Sequence, residues 1–432
     1  PLIQRTASQM EKNTDMLLRL MQVAARIPGM AAVHFLEDKL TFASHKVQIE
    51  AVRLLAQTGT KPERGYQKHL KSMMEGSCAH IAWVLAAKMD LAKHPSGKIL
   101  IPLLEESRKQ SENEVFLILS LLYESDAIRR VQEQISNHEG EYRALALEML
   151  DILLEEDIKP MLASWIGKDS DEECYAGLSQ LFPQKHYARP EWRLQDILYQ
   201  DFGRVGRWLR ANALFALTQM PLPKLPQEVE ALASHQDLFL CELSLIAIHQ
   251  ADPQRYHQKI ANKPKKEQIK YSRVTGDLQR GRRIPSNFEE VRFMAKHPFF
   301  QNLPTELLIK LSEFAEQECL KPQQAPSATY RRGNYVHFVV KGRSQLYRHG
   351  KQMTMEQGGV LGLLEPLSLE DAQLQVEEQM QVFYVDKRAF YALAQLHLPL
   401  LIAIYEQLTQ QGESLAVPAL EYGLPSWAES IF

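Results

Sequence analysis

From residue 9 to residue 262, apolar side chains recur at helical spacing in blocks of 12–18 residues, and the blocks themselves recur. In KVQIEAVRLLA the anchors are Val47, Ala51 and Leu54 with Leu55, which fall at i, i+4 and i+7 or i+8 and so line one helix face. The same phase runs through CAHIAWVLAA (Cys78, Ala82, Leu85), VFLILSLL (Val115, Leu119, Leu122), YRALALEML (Tyr142, Ala146, Met149), CYAGLSQL (Cys174, Leu178, Leu181), LRANALFAL (Leu209, Ala213, Ala216) and LCELSLIAI (Leu240, Ser244, Ala247). First anchors lie 31, 37, 27, 32, 35 and 31 residues apart, about 32 on average, which is the length of one helical hairpin. A lone hairpin cannot bury its apolar face, so hairpins stack and leave a long concave surface suited to binding protein.

At 432 residues the chain exceeds the ~250–300 at which a single core stops growing, so two or more domains or an extended array are expected. Only 20 glycines and 22 prolines interrupt long runs rich in Leu, Ala, Glu, Lys and Gln, which favours helix over most of the length. A hydrophobic share of 45% with a net charge of −3 excludes disorder and collagen-like repetition, and it argues against nucleic acid as a partner. The longest apolar run, Val115 to Leu119 and on past Ser120 through Leu122, falls far short of the ~18–20 residues of a membrane-spanning helix, and no signal peptide is expected. Cys78, Cys174, Cys241 and Cys319 stand far apart without a CxxC pair and read as free thiols in a reducing cytoplasm. Because the chain opens at Pro1, it is expected to be a processed product or a piece of a longer polypeptide.

The repeating phase resembles the HEAT/armadillo class of helical repeats. Inner helices of that class carry small residues and leucine at these positions and often an arginine near the start, the place held here by Arg143 and Arg210. The resemblance covers about 215 residues in seven degenerate units. Residues 263–283 break the pattern: eight basic residues, among them Lys263, Lys265, Lys266 and Lys270, stand against Glu267 and Asp277, a local net of +6 that leaves the rest at −9. The segment reads as an exposed strap drawn to anionic lipid or nucleic acid, or as a solvated connector that pairs with the acidic helical array.

After residue 284 short β-type runs replace the helical phase. ATYRRGNYVHFVVKG, RSQLYRHG, KQMTMEQGG and LQVEEQMQVFYV are punctuated by Gly342, Gly350, Gly358 and Gly359, with a helix expected before them over Pro304 to Glu318 and closing helices in DKRAFYALAQLHLPLLIAIYEQLTQQ. This order resembles the cyclic-nucleotide-binding domain. The matching stretches are HPFFQNLPTELLIKLSEFAEQ, YVHFVVKGRSQLYRHG, GGVLGLLEPLS and VFYVDKRAFYAL, about 120 residues in all. In that family a cyclic phosphate rests on a helix N-terminus, an Arg neutralises it and a Glu accepts the ribose hydroxyl. This chain keeps the cassette glycines Gly359 and Gly362 but has Leu363 where the resemblance requires Glu. Ser368-Leu369-Glu370-Asp371-Ala372 stands where it requires Arg, and the upstream glycine-rich turn is reduced to Gly333-Asn334. The implied domain has lost its ligand, unless a shifted register brings in Arg343 or Arg348.

No HExxH, Cys/His cluster, nucleophile elbow, Walker loop or dinucleotide fingerprint is present, so no enzyme, metal site or cofactor is predicted. In FGRVGRWLRANALF, Arg204, Arg207 and Arg210 fall at i, i+3 and i+6 beside Trp208. They form either one cationic helix face or a set of inter-repeat partners around a core Trp. The expected fold is mainly α: a HEAT-like α-solenoid over 1–262, a basic linker over 263–284, a small α+β domain with an antiparallel β-roll over 285–412, and a tail over 413–432. The expected function is a non-enzymatic interaction or regulatory module with a protein partner on the solenoid surface and an anionic membrane surface at the basic linker. This tandem resembles the cytosolic region of bacterial ATP/ADP-carrier-like nucleotide transporters. The competing readings are a HEAT-like DNA glycosylase, which wants a basic array, and a cyclic-nucleotide-responsive regulator, which wants the missing Glu and Arg. No helix-turn-helix pattern follows the β-roll.

Overall fold

Each block of the apolar phase falls on a helix, and most of its anchors are buried. The computed structural model describes residues 14–136, 140–201, 203–220, 225–276, 286–322, 335–348, 351–363 and 372–414. They divide into two compact units, residues 1–223 and 224–432, mainly helical throughout with a small antiparallel β region in the second.

In the first unit the helices are α1 (Thr14–Ala24), α2 (Met30–Leu40), α3 (His45–Thr58), α4 (Gln67–Leu91), α5 (Gly97–Leu122), α6 (Ser125–Ser136), α7 (Gly140–Leu153), α8 (Lys159–Ala163), α9 (Asp171–Leu181), α10 (Pro190–Tyr199) and α11 (Arg207–Thr218). Successive pairs α2–α3, α4–α5, α6–α7 and α10–α11 pack together, and one core runs from Leu17 to Leu178 through Val47, Ala51, Leu55, Cys78, Ala82, Leu85, Val115 and Leu119. Helices α4 and α5 are 25 and 26 residues long, beyond the expected 12–18. In α4 buried Leu70, Met73, Met74 and Ser77 carry the face back through Gly76, so the helix starts well before the anchors. Where ends are sharp the chemistry is local: Gly59 closes α3 at φ +67°, and Ser170 caps α9 by accepting the Glu173 N–H at 3.2 Å.

The second unit begins with α12 (Gln227–Leu232), α13 (Leu238–Ala251), α14 (Pro253–Ala261), α15 (Lys265–Thr275), α16 (Asn287–Met294) and α17 (Thr305–Ser312). The strands that follow among the described residues are β1 (Ala315–Leu320), β2 (Tyr335–Lys341), β3 (Ser344–Arg348), β4 (Lys351–Met355), β5 (Val360–Leu361), β6 (Ala372–Val376) and β7 (Met380–Asp386). Helices α18 (Lys387–Ala394) and α19 (Leu398–Ser414) complete the unit. Helix α13 is buried along nearly its whole surface, and α14, α15 and α16 all pack on it.

Two expectations are corrected here. Residues 265–275 are a helix rather than a connector, because Tyr271 and Val274 give it a buried side against α13 that the charge run conceals. The helix expected over Pro304 to Glu318 stops at Ser312, and Ala315–Leu320 becomes an edge strand antiparallel to β7, with Ala315 opposite Val385 and Leu320 opposite Met380. Pairing with the apolar MQVFYVD strand overrides the helix propensity of Ala, Glu and Gln.

These strands pair antiparallel in the orders β1-β7-β2-β5 and β4-β3-β6. Between β2 and β3, Gly342 adopts φ +92°, and a Cβ there would overlap the Gln379 carbonyl oxygen. Only glycine fits that turn.

Candidate functional site

The cassette is built on the short strand β5, where His337 pairs with Leu361 and Phe338 with Val360. Before it, Gly358 donates its N–H to the Val339 carbonyl and Gly359 accepts the Val339 N–H, both at 2.9 Å. Gly358 sits at φ +87° with space for a Cβ only 3.3 Å from Pro298, and Gly362 sits at φ +81°. The glycines are therefore demanded by a tight turn pressed against β2 and the His297–Phe300 segment. Leu363 is 3% exposed, and its carbonyl accepts the Tyr391 hydroxyl of α18. Burial pushes that hydroxyl up to about 12, so it remains a donor.

Packed beside the turn is an aromatic cluster of Phe299, Phe300, Phe338, Phe383 and Phe390, with Phe338 stacked on Phe383 at 4.9 Å and 4.7 Å from Phe300. His297 stands edge-on to Phe338, and its Nδ1 accepts the Phe299 N–H at 3.2 Å. Burial pushes the imidazole down to about 4, outweighing the Gly359 carbonyl, so the ring is neutral. His337 is held down to about 4 by burial and by the charge of Lys387. Glu370, Gly333-Asn334 and the Arg348 side chain lie outside the described residues. Arg343 is half exposed, with Glu356 at 3.7 Å and Glu377 at 3.9 Å, so its charge already faces two carboxylates.

The arginine set of the first unit does not form one helix face. Arg204 precedes α11, and its guanidinium lies over Gly76 of α4, where a Cβ would overlap Nη2. It neighbours Glu114, which accepts from Ser77 at 2.9 Å and pairs with His45 at 3.2 Å. Burial opposes ionisation of Glu114, but His45, Ser77 and Arg204 together hold its carboxyl below the usual range. Arg207 and Trp208 are half-buried on α11. Arg210 is fully buried and donates to the carbonyls of Leu198 at 2.6 Å, Val205 at 3.2 Å and Gln200, which closes the C-terminal end of α10. Burial pushes its pKa down to about 10, still charged at neutral pH. Of the set, Arg210 thus serves the fold. The side chain of Arg143 lies outside the described residues.

The basic segment is divided in role. Lys265 and Lys266 are exposed at the start of α15. Lys263 reaches over the Tyr271 ring at 5.6 Å and toward the Cys241 sulfur at 3.5 Å. Lys270 pairs at 2.9 Å with Glu242, a carboxylate 1% exposed on α13. The other Glu242 oxygen accepts the Asn287 N–H at 2.6 Å, at the first turn of α16, where Ser286 and Glu289 form a capping box. Nearby Glu290 is driven well above the usual carboxylate range by burial and by the Glu242 charge. The sequence reading passed over Glu242, although a lone acid inside the apolar run LCELSLIAI was its signal. It also missed His297 and Tyr391, whose partners are set only by the fold.

No protein-family model matches the chain, and no curated protein matches it. Solved structures align with about a third of it. A cAMP-bound PfPKA-R (141–441) matches at 14% identity over 31% of this chain and 48% of its own, with a TM-score of 0.24. The chain therefore spans about half the length of that protein. The sensor domain of the transcriptional regulator DNR from Pseudomonas aeruginosa matches at 16% identity over 30% of this chain and 98% of its own, TM-score 0.26. A cyclic nucleotide-binding domain from Methylobacillus flagellatus matches at 14% identity over 32% of this chain and 85% of its own, TM-score 0.24.

Proposed function

We propose that the chain is a non-enzymatic regulatory or protein-interaction module: stacked HEAT-like helical hairpins joined to a cyclic-nucleotide-binding-like β-roll that has lost its ligand. It works as the cytoplasmic part of a larger, transporter-like membrane protein. Paired helices carrying the repeating anchors support the first half of this reading, and no single helix among the described residues is long and apolar enough to cross a membrane itself. A protein partner is supported by Trp192, 46% exposed with Arg189 5.2 Å over its ring, the residue types that dominate binding hot spots. Exposed Lys265 and Lys266 support contact with anionic lipid, whereas Lys263 and Lys270 are engaged within the fold.

The observation that carries ligand loss is Leu363. A buried leucine, whose carbonyl already accepts the Tyr391 hydroxyl, offers no side-chain acceptor to a ribose hydroxyl. Charge-assisted hydrogen bonds are worth about 1.5–3 kcal/mol each, so losing the Glu and Arg contacts costs several orders of magnitude in affinity. Calorimetric titration of the full chain with cAMP and cGMP to millimolar concentration is expected to show no saturable heat. Saturable micromolar binding would overturn the reading.

A further inference from the structure

We propose that His34, Glu37 and Glu63 form a binding site for a divalent transition-metal ion of the zinc type, which clips α2 to the turn following α3. The three offer one imidazole nitrogen and two carboxylate oxygens, all within 4.8 Å of one another. His34 Nδ1 is 2.9 Å from Glu37 Oε2 and 3.9 Å from Glu63 Oε1. Ligands of a tetrahedral zinc at ~2.0–2.2 Å from the metal stand roughly 3.3–3.5 Å apart, so small rotations of the exposed His34 and Glu63 side chains close the set around an ion.

One feature beyond proximity points to a cation. Glu37 is buried to 3% side-chain exposure, yet among the described residues it forms no ion pair with a Lys or Arg, and the His34 ring is the group that meets its Oε2. Buried carboxylates of this kind are normally paired with a cation or coordinate a metal. The remaining Glu37 oxygen accepts the Glu63 N–H at 2.8 Å, which fixes the orientation of one ligand by the backbone of another, as outer contacts do in metal sites. An imidazole in the set favours zinc-like ions over calcium or magnesium, and three protein ligands leave a fourth position for water. Since Glu37 and Glu63 are 26 residues apart, a bound ion restrains the whole α2–α3 hairpin.

The test uses the full chain with Zn2+ by calorimetry and Co2+ by absorption. One equivalent of Zn2+ is expected to bind with micromolar affinity, and His34→Ala and Glu63→Gln are each expected to weaken it at least tenfold. Both side chains are about half exposed or more, so neither change is expected to unfold the chain. His186→Ala, which alters an exposed histidine paired with Asp90, is expected to leave binding unchanged. Bound Co2+ should show weak d–d bands without a thiolate charge-transfer band. Binding that is absent, unaltered in both site variants, or accompanied by the thiolate band overturns the proposal. The outcome is independent of the cyclic-nucleotide titration.

Discussion

A single buried cation illustrates how residue type and residue role separate. Arg210 draws notice from sequence as one of three spaced arginines, but the carbonyls it serves belong to residues 198, 200 and 205, which only the fold brings to it. Replacing it leaves those carbonyls buried and unmet, so Arg210→Met is expected to destabilise the first unit by about 3 kcal/mol, read by urea denaturation. Buried titratable groups set the pH response. His80, His297 and His337 have pKa values near 4 when folded against 6.5 ordinarily, so between those values the unfolded chain binds more protons. Their contribution is complete above about pH 6.5 and falls away as the pH drops toward 4. The melting temperature is expected to be several degrees lower at pH 5 than at pH 7, with a shallower dependence in His297→Asn, which keeps an acceptor for the Phe299 N–H but does not titrate. Glu290 has the opposite sign: its raised pKa means the folded state holds the extra proton, so stability drops as pH rises above about 4.5. Glu290→Gln removes this opposing contribution and is expected to steepen the rise in melting temperature between pH 5 and 7.

At the scale of elements, periodicity was the readable signal wherever one face of a helix alone meets the core. It placed α3, α4, α5, α9, α11 and α13 with most of their anchors inside, Leu181 at the end of α9 being the exposed exception, because a 3.6-residue period leaves a pattern in sequence. Strand β1 was hidden because AEQECL carries no alternation of its own, with four of its six positions half-buried, and owes its conformation to β7. Helix α15 was hidden for another reason, since its charge run masks a side only Tyr271 and Val274 define. The cassette glycines were legible as glycines but not in their use, which depends on Pro298 and Val339 from elsewhere in the chain. Turn geometry gives an element-level test. Gly342→Ala places a Cβ against a backbone oxygen at positive φ and is expected to destabilise the β-roll by about 2–4 kcal/mol, seen as lost near-ultraviolet dichroism while the first unit's helical signal persists.

On the scale of the molecule, the sequence marks residues 262 and 284 as changes of texture, while the compact units meet at residue 223. Texture and packing diverge because composition reports what each segment is made of, whereas a unit is defined by what it is packed against. Glu242 shows what this means for taking the chain apart. One carboxylate on α13 answers both the Lys270 ammonium on α15 and the first amide of α16, so the three helices share a joint. Cutting at residue 285 removes that joint from the β-roll and leaves the Asn287 amide, together with the apolar side of α16, facing water. A fragment covering 224–432 is expected to melt in one sharp transition, and one covering 285–432 earlier and over a broader range. Anyone preparing the β-roll in isolation therefore has to bring sixty residues of helix with it.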